Sequence, residues 1–167
     1  ENELFVSEGG AVQEASFGIK VLANELEDWI SNQNKKYKVF LPSGTGTTAL
    51  FLQKYLSCEV LTVPCVGDST YLKKQFLDLE DEKYHPTILE PKKKYHFGKL
   101  YEEFYVVWKS LNTQTNIEFD LLYDPLGMIT LQEYLKENDE NIIYIHQGGL
   151  KGNITMLERY ERKYKGK

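Results

Sequence analysis

Five short apolar runs, at residues 38–41, 59–63, 87–89, 119–122 and 142–145, alternate with longer segments whose apolar residues recur every three or four positions. This alternation constrains the fold more than any other feature. Strands separated by helices are βαβ units, and five of them make an α/β fold: an open, mainly parallel sheet with helices on both faces, wound right-handed. The first helix is expected over residues 11–30, where Val12, Ala15, Phe17, Gly18, Val21, Leu22, Leu26, Trp29 and Ile30 recur at three- and four-residue spacing. Further helices are expected over 47–57, 67–79, 99–111, 127–136 and 153–164. Pro42 and Pro64 close the first two strands. Nothing repeats at a fixed period and no low-complexity linker divides the chain, so residues 1–167 read as a single α/β domain. The irregular stretch 78–98, with Pro86, Pro91 and Lys92-Lys93-Lys94, reads as a solvated loop.

Composition narrows the function classes. The longest apolar stretches are about five residues, as in Phe104-Tyr105-Val106-Val107-Trp108, far short of the roughly 20 that a membrane span needs. A formal charge of −5 argues against general affinity for nucleic acid or an anionic membrane, which calls for a basic face. Cys58 and Cys65 are the only two cysteines; they make no disulfide framework, and a cytoplasmic location is expected. The chain begins at Glu1 without a targeting segment, and it is expected to be a piece of a longer protein.

In an open α/β sheet, ligands bind beyond the carboxyl ends of the strands. Gly44, Gly46, Gly67, Gly127, Gly148 and Gly149 all fall at such ends. The loop Ser43-Gly44-Thr45-Gly46-Thr47-Thr48 between a strand and a helix has the makings of a phosphate cradle, because glycine lets the backbone approach an anion and free amides point outward at a helix start. Three ligands could use it. A nucleoside-triphosphate P-loop needs Lys then Ser or Thr after its last glycine, where Thr47-Thr48 stands. A dinucleotide fingerprint is formally met by Gly44-x-Gly46-x-x-Ala49, yet Val63-Pro64-Cys65 offers no acid for a ribose hydroxyl. A cofactor with one terminal phosphate, such as pyridoxal phosphate, is the third. A tight loop with no ligand is the bland alternative.

Other positions carry both a functional and a structural reading. His146, ahead of Gly148 and Gly149, could act on a proton or contact a ring, or be a hydrogen-bonded strand-end residue. His85 and His96 have no second ligand at helical spacing, so no metal site is expected. Asp124 could cap the helix that follows it, and Tyr123 could belong to the core. Cys65 could be a nucleophile or simply buried. Val6-Ser7-Glu8-Gly9-Gly10-Ala11 could contribute to a ligand site or only lead into the first helix.

In their order, Phe5-Val6-Ser7-Glu8-Gly9-Gly10, Leu41-Pro42-Ser43-Gly44-Thr45-Gly46-Thr47-Thr48, Tyr123-Asp124-Pro125 and Tyr144-Ile145-His146-Gln147-Gly148-Gly149 resemble the later part of the 1-aminocyclopropane-1-carboxylate deaminase and D-cysteine desulfhydrase family. Its members are tryptophan-synthase-β-like, fold type II pyridoxal 5'-phosphate enzymes. The resemblance implies a cofactor phosphate held by Ser43, Gly44, Thr45, Gly46, Thr47 and Thr48, with His146, Gly148 and Gly149 along the ring. It also implies a small amino-acid substrate, a deaminase or lyase reaction giving a keto acid and ammonia, and a homodimer of two-domain subunits of which this chain is the carboxyl-terminal part. The family's Schiff-base lysine lies in a preceding segment and is absent from this chain; Lys151 does not match its position, so the chain alone is expected to be inactive. After Asp124-Pro125 the family places a catalytic tyrosine and then a glutamate or threonine facing the ring nitrogen. Leu126-Gly127-Met128 stands there instead, leaving Tyr123 as the catalytic candidate, with Thr130 as another substitute. The competing reading is a nucleotide- or phosphosugar-binding module, which an acidic side chain at the mouth of the 43–48 loop with an adenine-sized slot beside it would favour.

Overall fold

Residues 39–41 are completely buried, and their side chains divide by parity, as a strand covered on both faces requires. Val39 and Leu41 pack with Ala23, Ala49 and Leu52 on one face; Phe40 packs with Phe104, Leu126 and Leu131 on the other. The computed structural model describes residues 6–164, so Phe5 of the first motif lies outside the described residues. Among these, β1 (Tyr37–Ser43), β2 (Val60–Pro64), β3 (Thr87–Ile88) and β4 (Asn141–Tyr144) form one sheet in the order β3-β2-β1-β4. All three pairings are parallel. Helices α1 (Ala15–Ser31) and α2 (Thr47–Tyr55) cover one face, while α4 (Glu102–Thr115) and α5 (Asp124–Leu135) cover the other. α3 (Ser69–Leu77) seals the edge, where Leu72 and Phe76 meet Leu50 of α2. α6 (Lys151–Tyr164) packs on α4 through Met156 and Tyr160.

The open α/β arrangement read from the sequence is the one found, with a correction at residues 119–122. The fourth of the five expected strands is irregular chain. The run is buried as its composition implies, with Phe119 and Leu121 at 6% and 1% exposure, but side chains rather than a neighbouring strand satisfy its backbone. The amides of Phe119 and Leu121 donate to Asn112 Oδ1 at 2.9 Å and Asn153 Oδ1 at 2.8 Å. Those of Leu122 and Tyr123 both donate to Asp120 Oδ1 at 2.7 Å. The Phe119 carbonyl accepts from Trp108 Nε1 at 2.7 Å and from Asn153 Nδ2 at 2.9 Å. A buried backbone has to place every donor and acceptor, and here Asn112, Asp120 and Asn153 provide what a strand partner would have provided.

Helix boundaries differ from the periodicity at the ends. α5 begins at Asp124, three residues before Gly127, because Pro125 in its first turn has the fixed φ that opens a helix and lacks an amide needing a partner. α4 runs on to Thr115 and stops at Asn116, whose φ of 56° is the left-handed turn that ends helices.

Asn153 is 2% exposed and serves two backbone groups of the irregular segment at once. Replacing it by leucine leaves the Leu121 amide with no acceptor and is expected to destabilise the chain by about 3 kcal/mol. A urea titration should show a lower midpoint at an unchanged slope.

Candidate functional site

The sheet reverses direction at β1, which has β2 on one side, reached through α2, and β4 on the other. In open α/β folds the ligand crevice lies beyond the carboxyl ends of the strands at such a reversal. The turn 44–46 after β1 and the loop 145–150 after β4 flank this point, and a cavity of about 330 Å³ opens between them. Its walls are the whole 43–48 loop, Gly148 and Gly149, Tyr123 and Asp120, Glu8 and Gly9, with Gln147 and Tyr71 at its sides.

The cradle is built by a constrained glycine. Gly46 precedes α2 with φ 77°, where an L side chain is strained, and a Cβ there would overlap Phe76 and come within 2.6 Å of Leu72 Cδ1. No side chain caps the helix, so its opening amides face the cavity unpaired by any cap and add the positive end of the helix dipole. The hydroxyls of Thr45 and Thr47 lie 3.2 Å apart beside them. Ser43 is turned inward: Thr62 Oγ1 donates to the Leu41 carbonyl at 2.8 Å, which leaves the Ser43 hydroxyl donating to Thr62 Oγ1 at 2.6 Å. Gly9 lies flush against Thr45, with no room for a Cβ, so the amino-terminal turn is docked on the loop.

Beneath the cavity is a buried acidic pair. Asp120 accepts the amides of Leu122, Tyr123 and Asp124, and Asp124 Oδ2 accepts the amide of Asp120 at 2.9 Å. The Tyr144 hydroxyl donates to Asp124 Oδ1 at 2.5 Å. Burial, reinforced by the Asp120 charge, pushes the Asp124 carboxyl up to about 7, against the pull of the Tyr144 hydrogen bond. Burial likewise raises the Tyr123 phenol, with Cys65, Asp120 and Glu8 adding to the shift. Tyr123 therefore stays protonated at neutral pH. Its hydroxyl has no hydrogen-bond partner among the described residues, and it lies along Gly44, where a Cβ would sit 3.4 Å from the phenol oxygen.

Of the residues singled out in the sequence, the structure brings together the 43–48 loop, Gly148, Gly149 and Tyr123. It does not bring His146 there. The His146 Nε2 donates to the Glu118 carbonyl at 2.8 Å, and Nδ1 accepts the Gly148 amide at 3.1 Å, which assigns the tautomer and leaves neither nitrogen free. Lys151 begins α6 on the exposed surface, away from the cavity. Thr130 is buried in α5 with an unpartnered hydroxyl, also outside the cavity. Cys65 is buried, and burial drives its thiol pKa far up, so it is a packing residue rather than a thiolate. Among the described residues no group of three acidic, histidine or cysteine side chains is arranged to hold a metal ion, and no helix is long and apolar enough to cross a membrane.

Sequence reasoning missed Asp120, Gln147 and Tyr71. Asp120 carried a usable signal, since a carboxylate inside a buried apolar run demands several donors and so marks a turn rather than a strand. Gln147 and Tyr71 carried none; Gln147 enters because its Nε2 reaches across from the β4 loop to the Pro42 carbonyl at 2.6 Å.

No family model and no curated protein matches the chain. A solved structure described as an ACC deaminase homologue superposes with a TM-score of 0.71 at 19% identity, covering 92% of this chain and 52% of that one. The chain thus spans about half the length of that protein. At this identity the likeness is one of fold: the two share an open parallel α/β architecture.

Two outcomes follow from the site's geometry. Gly46→Ala forces a side chain into a left-handed position against Phe76, and stability should fall by about 2 kcal/mol or more in chemical denaturation. The pH dependence follows from Asp124, whose folded pKa of about 7 lies above its ordinary 3.8. The folded state then holds the proton more tightly, so this group's contribution to stability falls as pH rises from about 4 to 7. Tyr144→Phe removes the donor that favours the carboxylate. It should destabilise more at pH 8 than at pH 5, by up to about 1.4 kcal/mol as the pKa climbs to 8 and beyond.

Proposed function

We propose that this chain forms the phosphate- and ring-binding part of a pyridoxal 5'-phosphate-dependent enzyme acting on small amino acids, a deaminase or lyase. The observation that supports it most is the uncapped start of α2 opening into a cavity beside the Thr45 and Thr47 hydroxyls. A terminal phosphate fits such a seat, and the cavity is of a size for one small cofactor. In this reading Gly44, Thr45, Gly46, Thr47 and Thr48 hold the phosphate, while Gly148 and Gly149 let a flat ring lie close to the backbone. The bound group would supply the electron sink that makes a proton α to a carboxylate removable. Tyr123, protonated and unpartnered at the cavity wall, would hand a proton to a reacting atom.

Among the described residues no lysine lines the cavity. The amine that tethers the cofactor is therefore assigned to another segment or chain, and the chain alone is expected to be catalytically silent. A cytoplasmic homodimer of two-domain subunits belongs to the same reading, on the strength of the family resemblance and of the half-length match to the ACC deaminase homologue.

Glu8 at the cavity mouth favours a second reading, a nucleotide or phosphosugar whose hydroxyls it would accept. The small cavity lined by Cys65 and Phe97 offers about 10 Å³, room for one water and not for an adenine.

Equilibrium dialysis separates the two. Pyridoxal phosphate should bind the chain reversibly and at least tenfold more tightly than pyridoxal. Borohydride followed by mass spectrometry should leave no single lysine stoichiometrically labelled. Tighter binding of AMP or ribose 5-phosphate would transfer the site to the second reading, and one lysine labelled in full would overturn the assignment of the amine elsewhere.

A further inference from the structure

The cavity is electrically lopsided. At one end stand the uncapped amides of α2 and the 43–48 loop, which attract an anion. On the wall stand two carboxylates, Glu8 and Asp120, and among the described lining residues there is no lysine, arginine or histidine to balance them. The two acids are not equivalent. Asp120 is buried and committed to three backbone amides. Glu8 is exposed, and its carboxylate has no hydrogen bond or ion pair among the described residues.

Glu8 is also fixed in place. It opens a single helical turn, Glu8–Gly10, in which Gly9 and Gly10 take φ of 66° and 64°, and Gly9 presses on Thr45 of the phosphate loop. The turn therefore holds Glu8 at a set position relative to the anion seat. The Glu8 charge is felt across the cavity, where it helps to raise the Tyr123 phenol. A carboxylate at a partly closed mouth acts through a lower effective dielectric than bulk water, so the sign of a ligand's charge there matters.

We propose that Glu8 is a specificity-determining residue: among ligands seated by their phosphate, it makes the cavity prefer an ammonium group to a carboxylate at the position that faces Glu8. This rests on the phosphate seat proposed above, and it concerns the part of the ligand that faces Glu8. Among the described residues the wall there has two acids and no base, so a carboxylate at that position meets no counter-charge.

Three probes with the same ring and phosphate test it: pyridoxamine 5'-phosphate with an ammonium group, pyridoxine 5'-phosphate with a hydroxyl, and 4-pyridoxic acid 5'-phosphate with a carboxylate. Their dissociation constants are measured by calorimetry at pH 7.5 and low salt, where surface charge is least screened. The ammonium probe should bind at least tenfold more tightly than the carboxylate probe, with the hydroxyl probe between them. Glu8→Gln, at an exposed position, should shrink that ratio to threefold or less. An unchanged ratio in Glu8→Gln, or equal binding of all three by the unaltered chain, would remove the role of Glu8 and leave the phosphate seat standing. Failure of all three to bind would remove the seat and the selectivity together.

Discussion

The site depends on β1 being paired on both sides. Val39 through Phe40 are hydrogen-bonded to β2 and to β4 at once, and the strand is sealed between two apolar layers. Such a strand cannot slip by one residue without moving Phe40 and Leu41 to opposite faces. Its carboxyl end, and with it Ser43 and the turn into α2, is held in register against the ends of both neighbours. That constraint makes a loop of threonine and glycine, costly in chain entropy when free, into a defined concavity.

A second constraint works at right angles to the first. The irregular segment ahead of α5 is fixed by Asp120, Asp124, Asn112 and Asn153, which take over backbone groups that no strand pairs. Placing two carboxylates close together in the interior is unfavourable, and the raised Asp124 is the sign of it. The arrangement persists because each acid accepts amides of the turn, so the pair defines the position of Tyr123. The position of the phenol on the cavity wall thus depends on Asp120 and Asp124.

Most of the architecture was legible in the chain because it is written in periods. Short apolar runs and a recurrence every three to four residues identified four strands and six helices, and proline and glycine marked where several of them end. The failure at residues 119–122 is instructive, since Phe119 and Leu121 are buried as expected, yet apolar burial does not by itself imply pairing. The partners that decide the matter, Asn112 and Asn153, come from two other helices. The cradle was legible for a local reason, namely that a glycine-rich turn between strand and helix is shaped by its own residues. For His146 the sequence left two readings open, and only the fold chose the hydrogen-bonded strand-end one. The neighbours that occupy its two nitrogens are the Glu118 carbonyl, 28 positions earlier, and the amide of Gly148.

By itself the sequence determined the layered α/β class, the edge of the sheet that carries the loops and the anion-seeking character of residues 43–48, because these follow from short-range periodicity and turn chemistry. Only the tertiary structure decided which side chains share the cavity. It set Glu8 and Asp120 on the wall, left Tyr123 unpartnered beside Gly44 and turned His146 and Ser43 to structural hydrogen bonds. Those outcomes depend on contacts between residues far apart in the chain, where burial and unpaired backbone groups, not local preference, fix the geometry.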